Sequence, residues 1–272
     1  DTSPLFTNIK PCLFKNGAVV GYLQRNEYTK FENGTAADIT SGSAGDVMVE
    51  IPKMAYYMEK TGNIITCKVC MGNDAKTVDS RYTYLPFSRD VEGDRDKIYI
   101  GAYLGYTLST KLRSLSGKTP SATQTIGTFR TQAQANGTGY QHLPFYPLTL
   151  LQILYILKYG SLDSQTALGR GFVDGNTAVI NTGGTNSKGF CFGETTGKLQ
   201  MKMFGIEDFW GNLHQWIDGL SFNASWSILT TYKSFNDTGS GYLFNTSSGL
   251  SANAGGCMSS SQGSSKAGFN VK

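Results

Sequence analysis

"GIEDFWGNLHQWIDG", residues 205–219, gathers two of the chain's three tryptophans and one of its two histidines into one short stretch. Gly205 and the pair Gly211-Asn212 are turn formers, because glycine and asparagine tolerate positive φ. Beyond them "NLHQWID" sets Leu213, Gln215 and Ile217 against His214, Trp216 and Asp218, the alternation of a β-strand. Both faces carry bulk, so the stretch predicts a tight turn feeding a covered strand, with Trp210 and Trp216 sealing a core. Asp208 reads as the residue that fixes the turn by accepting backbone N–H bonds. His214 reads as a surface or satisfied histidine rather than a catalyst.

Composition narrows what such a core can belong to. At 272 residues the chain is long enough to bury a sizeable interior. Charged residues make up only 16% and glycines number 33, a loop-rich and mostly β composition. The net charge of +4 is dispersed, and the densest ionic run, "SRDVEGDRDK" (88–97), mixes both signs. No basic tract capable of gripping a phosphate backbone follows from this, so nucleic acid is not an expected partner. The most apolar run, "LTLLQILYIL" (148–157), is far shorter than the ~20 residues a helix needs to cross a bilayer. The chain opens on Asp1 rather than Met and so reads as a processed or excised piece of something longer.

The cysteines, Cys12, Cys67, Cys70, Cys191 and Cys257, are odd in number and irregularly spaced, which argues against a complete disulfide framework. "CKVC" (67–70) sits in the β-branched run "NIITCKVCMG" and reads as strand, whereas redox pairs open helices. With no second close Cys pair and only His142 and His214 as histidines, a four-ligand zinc site is not expected.

Along the chain, residues 1–46 read as an N-terminal β extension, with a strand near Ala18, a turn at Asn33-Gly34 and a long exposed loop. "VMVEIPKMAYYMEKTGNIITCKV" (47–69) reads as two strands joined at Thr61-Gly62-Asn63, and "DKIYIGAYLGYTL" (96–108) as a strand with one buried face. In the latter, Tyr99, Tyr103 and Tyr106 either pack across strands or face a ligand. A short helix is predicted at 127–135, stopped by Asn136-Gly137. A second is predicted within "HLPFYPLTLLQILYILKYGS" (142–161), with Pro147 in its first turn and Gly160 past its end. Its apolar residues go nearly all the way round, so it should be buried. Residues 162–199, including "GRGFVDGN" and "NTGGTNSKG", read as a long irregular loop region of the kind that carries function.

The opening stretch resembles the "GL-x-D-x-x-GN-V-x-EW" signature of the formylglycine-generating-enzyme (sulfatase-modifying factor) domain, a variant of the C-type lectin fold. "VMVEIPKMAYY" is similar to that family's opening strand, "KIYIGAYLGY" to a following one, and "HLPFYPLTLLQILYILKYGS" stands where the family has a helix. The likeness covers residues 47–220, which the resemblance makes part of a C-type-lectin-like domain running from 47 to 272. Phrases such as "DITSGSAGDVMVEIPK", "TQTIGTFRTQA" and "GRGFVDGN" look more narrowly like bacteriophage and prophage tail adhesins and the variable proteins of diversity-generating retroelements.

This resemblance implies an α+β fold with two helices, short strands and long irregular loops. It marks Asp208, Trp210, Gly211, Asn212 and Trp216 as structural motif residues. It also implies a function: a non-enzymatic virion surface protein, extracellular on a phage tail, that binds a host-cell receptor of protein or glycan. Its partners would be other tail proteins and further copies of itself in a symmetric oligomer, expected as a trimer. A bacterial cell-surface location, a purely structural module, and an oxidoreductase of the formylglycine-generating or sulfoxide-synthase type are the alternatives. The enzymes of the superfamily use cysteine pairs or histidine sets near the end of the domain, where this chain has Cys257 alone. Between Asn181 and Phe204 the one carboxylate is Glu194, poor for calcium. Neither catalytic residues, nor metal ligands, nor a cofactor are expected, and no ligand-contacting residue can be named. The family's closing strands would follow "QGSSKAGFNVK", so further chain or a neighbouring subunit is expected to complete the domain.

Overall fold

The computed structural model describes residues 2–62, 64–88, 94–175 and 178–246, and the backbone of residues 261–264 and 268–271. In chain order the elements are α1 (Pro4–Thr7), β1 (Lys10–Lys15), β2 (Ala18–Gln24), β3 (Glu27–Phe31), β4 (Asp46–Pro52), β5 (Met54–Thr61), β6 (Ile64–Met71), α2 (Ala75–Val78), β7 (Lys97–Gly101), β8 (Tyr106–Leu108), β9 (Lys111–Arg113), α3 (Ile126–Gln134), α4 (Phe145–Tyr159), α5 (Ser164–Ala167), β10 (Lys202–Met203), β11 (Ile206–Glu207), β12 (Leu220–Phe222), β13 (Ile228–Thr230), β14 (Phe244–Thr246), β15 (Ser261–Ser264) and β16 (Gly268–Val271). The fold is α+β, with short and mostly antiparallel strands and few helices. No helix among the described residues is long and apolar enough to cross a membrane.

The chain divides into two compact units, each assembled from three separated segments. The first comprises residues 1–52, 98–142 and 159–215. Its centre is a five-stranded sheet in the order β3-β2-β1-β4-β7. β1 pairs antiparallel with β4 from Lys10↔Glu50 to Phe14↔Asp46, so residues of the N-terminal segment and of the "VMVEIP" run share one sheet. Ile9, Leu13, Leu23, Val47, Val49 and Ile51 are fully buried around it. Beyond the predicted strand at Ala18, a further strand, β3, precedes the Asn33-Gly34 turn, where Gly34 N–H donates to Phe31 O at 2.8 Å. Helix α3 starts on Thr125, whose hydroxyl accepts Thr128 N–H, and it buries Phe129 and Ala133. Asn136 then donates its side-chain amide to Leu112 O at 2.8 Å, anchoring the end of the helix beside β9.

The second unit comprises residues 53–97, 143–158 and 216–272. The hairpin β5–β6 closes with Thr61 opposite Ile64, as the Thr61-Gly62 turn predicts. The predicted pair of strands over 47–69 is in fact three, because Pro52 ends β4 and Lys53 N–H bonds instead to Asp96 O at 2.8 Å. Proline lacks the N–H that would continue a ladder. Helix α4 carries Pro147 in its first turn and ends before Gly160, whose φ of +62° terminates it. Its residues Leu150, Leu151, Ile153 and Leu154 are fully buried, as the all-round apolar pattern predicts. The antiparallel sheet β12-β13-β14 belongs to the same unit, and Thr230 on β13 hydrogen-bonds the buried Tyr146 hydroxyl at 2.9 Å. Within this unit β15 pairs with β16 and lies beside β5.

Two expectations about the opening stretch are corrected here. "NLHQWID" is not a strand: over residues 213–218 one isolated parallel bridge, Pro144↔Asp218, is all that forms. Asp218 exchanges backbone bonds with Leu143 and Phe145 at 3.0 and 2.8 Å, which ties it to the start of α4. Alternation expresses local preference, but a strand forms only when a partner offers its ladder groups. Trp216 is also not a core residue, since 51% of its surface is exposed. Trp210 is partly buried, with its indole N–H donating to Gly169 O at 2.9 Å. Trp216→Ala is therefore expected to change stability by less than about 1 kcal/mol, in keeping with surface substitutions, and not by the ~3–5 kcal/mol of a buried aromatic. Thermal unfolding of the variant checks this, and a collapse to insoluble protein would restore Trp216 to the core.

Candidate functional site

Residues 168–201 form no helix and no named strand where they are described, yet they are tied down at many points. The anchor is the β10–β11 hairpin. Phe204 and Gly205, with φ of +50° and +82°, make the two-residue turn between its strands. A side chain at position 205 would stand 2.5 Å from the Tyr28 hydroxyl, so only glycine fits. Phe204 accepts the left-handed backbone because its ring stacks on Phe6 at 5.5 Å. This turn places Lys202 and Glu207 opposite each other, both in the interior, at 0% and 1% exposure.

Glu207 is surrounded by donors from the loop. Oε1 accepts Gly183 N–H at 2.6 Å and the Gln200 side-chain amide at 3.0 Å. Oε2 accepts both the backbone N–H and the hydroxyl of Thr185, at 2.8 and 2.6 Å. Lys202 reaches the same loop from the other strand, its ammonium donating to Thr185 O and lying 4.1 Å over the Tyr28 ring. Burial pulls the Lys202 ammonium down to about 8 against the opposing pull of Glu207, and burial pushes the Glu207 carboxyl above its usual range. Asn186 closes the ring. It accepts the Tyr103 hydroxyl, donates to Ser116 Oγ at 2.8 Å, and its carbonyl takes Tyr28 N–H at 3.1 Å.

Asp208 follows directly, at φ +52° and 1% exposure. It does not fix the turn by accepting backbone N–H bonds, as its position predicts. Its Oδ2 accepts side-chain amides instead, Gln200 Nε2 at 2.6 Å and Asn212 Nδ2 at 2.8 Å. Asn212, at φ +60°, grips the loop through Ile180, whose N–H and C=O it engages at 3.2 Å each. Gly211, at φ +86°, lets the chain pass Phe172, where a side chain would come within 2.9 Å of the backbone nitrogen. Of the motif residues, Asp208, Trp210, Gly211 and Asn212 thus come together beneath the loop. Trp216 lies in the other unit.

The outer part of the loop is clasped by backbone. Arg170 N–H bonds Glu194 O at 2.9 Å, and the N–H groups of Val173 and Asp174 both bond Gly197 O at 2.8 Å. Gly169 and Gly193 permit this crossing: an added side chain at 193 would stand 2.1 Å from Leu168 O. Glu194, the carboxylate the calcium argument turned on, accepts the N–H groups of Thr196, Lys198 and Leu199 at 2.7, 3.3 and 3.2 Å. Leu199 and Val173 stand exposed on this surface, at 52% and 40%.

His214 is exposed, and the His142 ring lies 6.0 Å from that of Phe129 in a tilted pair. Cys67 and Cys70 lie on β6 as expected, where an odd spacing turns them to opposite faces, and burial pushes the Cys67 thiol up to about 11. Cys257 lies outside the described residues. Among the described residues no three His, Cys, Asp or Glu side chains are grouped to hold a metal ion. Of the tyrosine stripe, Tyr103 is buried in the polar ring and Tyr99 donates to Glu50 at 3.0 Å. Sequence reasoning overlooked Lys202, Glu207 and Gln200. Their signal was available in "LQMKMFGIEDF", where charges flank a Phe-Gly turn inside an otherwise apolar run.

No family model, no curated protein and no solved structure matches the chain. In the arrangement around the β10–β11 hairpin Lys202, Glu207 and Asp208 are all buried. Its carboxylates, amides and ammonium bind one another and the loop backbone, and their common effect is to hold an irregular surface in one shape.

Proposed function

We propose that this chain is a non-enzymatic recognition protein, a bacteriophage tail or virion surface component that binds a receptor on the host cell, built on the formylglycine-generating-enzyme variant of the C-type-lectin-like fold. The observation that carries the reading is the clamped loop region. A long Gly, Asn and Thr segment is held from below by Glu207, Lys202 and Asn212, while Leu199 and Val173 face outward. Loops preorganised in this way lose little conformational entropy on binding. Small polar residues beside exposed apolar ones are the composition of adaptable recognition surfaces. The order of the family-like motifs and the α+β architecture support the scaffold assignment. A tail location, a protein or glycan receptor, tail-protein neighbours and a trimeric assembly belong to the same proposal.

The test is saturable binding of labelled protein to a panel of bacterial cell envelopes. Leu199→Asp is expected to weaken that binding by tenfold or more while leaving the melting temperature within a degree or two, because the side chain is exposed. For a binder of this kind EDTA is expected to leave both binding and melting unchanged, because its fold would draw no stability from a metal. Absence of saturable binding across the panel, or a loss of stability on chelation restored by copper, iron or calcium, overturns the reading.

A further inference from the structure

Asp208 is buried, and its Oδ1 has no hydrogen-bond partner. Its other oxygen shares a donor with the neighbouring carboxylate. Gln200 Nε2 lies 2.6 Å from Asp208 Oδ2 and 3.0 Å from Glu207 Oε1. Glu207 has three further donors from Gly183 and Thr185, and Asp208 has one, from Asn212. The two N–H groups of Gln200 Nε2 serve one carboxyl each, and Asp208, which has fewer donors than Glu207 and one bare oxygen, is the costlier of the two consecutive buried carboxyls to ionise.

We propose that the Glu207–Asp208 pair is a proton-operated latch, in which a proton on Asp208 lets the pair hold residues 180–185 against the 208–212 turn, and its loss as pH rises loosens that segment. The linkage runs through named bonds. Asp208 holds Asn212, Asn212 holds Ile180, and Glu207 holds Gly183 and Thr185. The charges that bear on the pair are few. Glu207 faces Asp208 from β11, and Lys202 on β10 acts on Glu207. Residues 180–186 contain no charged side chain, and Arg170 and Asp174 are paired with each other. Burial pushes Asp208 up to about 7, with Gln200 and Asn212 opposing and Glu207 adding to it.

A carboxyl that binds its proton more tightly when folded stabilises the fold at acid pH. That contribution is whole below pH ~4, where the unfolded chain is also protonated, and is lost as pH climbs toward 7. The latch goes beyond the receptor reading and stands whether or not that reading holds.

Asp208→Asn mimics the protonated form, since its carbonyl can accept both amides. Relative to this variant, the wild-type folding constant should fall by up to tenfold per pH unit between pH ~4 and ~7. At pH 8 the amides of Ile180, Gly183 and Thr185 should exchange at least tenfold faster in wild type than in the variant, and equally only at pH ~4 or below. Comparison at one pH removes the intrinsic dependence of exchange. Parallel stability profiles or equal exchange at pH 8 overturn the latch. Should the variant not fold, carbon-13 NMR of the wild-type Asp208 carboxyl decides: a midpoint near neutrality upholds the proposal, and one below about pH 5 overturns it.

Discussion

Glu207→Ala is expected to lower the unfolding free energy by about 3–5 kcal/mol, the range for breaking a buried charged network by removing one member. Burying a carboxylate is itself unfavourable, so the loss does not come from forfeiting a favourable charge. It comes from what remains. Gly183 N–H, Thr185 N–H and Oγ1, and the Gln200 amide would lose their acceptor in a site closed to water, and Lys202 would lose its nearest counter-charge. Glu207→Gln keeps one acceptor oxygen but turns an NH₂ toward donors, and should lose about 1–3 kcal/mol, as for an unsatisfied buried polar group. Denaturant unfolding at pH 7 measures both. A loss below 1 kcal/mol for the alanine variant would show that the loop's donors find water, and that its shape is not held by this carboxylate.

The second large effect lies in the other unit. Leu154→Ala in α4 should be destabilising by about 2–5 kcal/mol, because a fully buried leucine leaves a cavity as well as lost transfer energy. Leu157, on the same helix but 41% exposed, should lose less than about 1 kcal/mol when truncated to alanine. The contrast separates burial from helix propensity, since both changes put the same good helix former into the same helix. Equal losses at 154 and 157 would mean that the exposed side of α4 is covered in solution.

The helices were legible in the chain itself because their signals are local. Thr125 caps α3 through its own hydroxyl, Pro147 fits only a first turn, and Gly160 adopts the positive φ that ends α4. Leu150, Leu151, Ile153 and Leu154 announced a buried helix by leaving no polar face. The β5–β6 hairpin was legible for the same reason, its turn residues and its β-branched arms lying next to each other in sequence.

The 205–219 stretch misled where its outcome depended on partners distant in sequence. Its turn formed as read, but "NLHQWID" found a single bridge to Pro144 in place of a ladder, and Trp216 stayed exposed. Periodicity reports which face could be buried and says nothing about whether another strand arrives to bury it. The same limit hid the site. In the linear chain Glu207 and Lys202 are two charges five residues apart and drew no reading. Only the hairpin that sets them opposite each other, and the return of residues 180–188 over them, turns them into the clamp of the loop. Composition, turn chemistry and apolar patterning determined by themselves that this chain would be loop-rich and mostly β with a buried helix, and the α+β class came from the family resemblance. Which polar groups would be enclosed, and which loop they would hold, was decided by the tertiary structure, because a buried charge can be satisfied only by donors that folding brings from elsewhere.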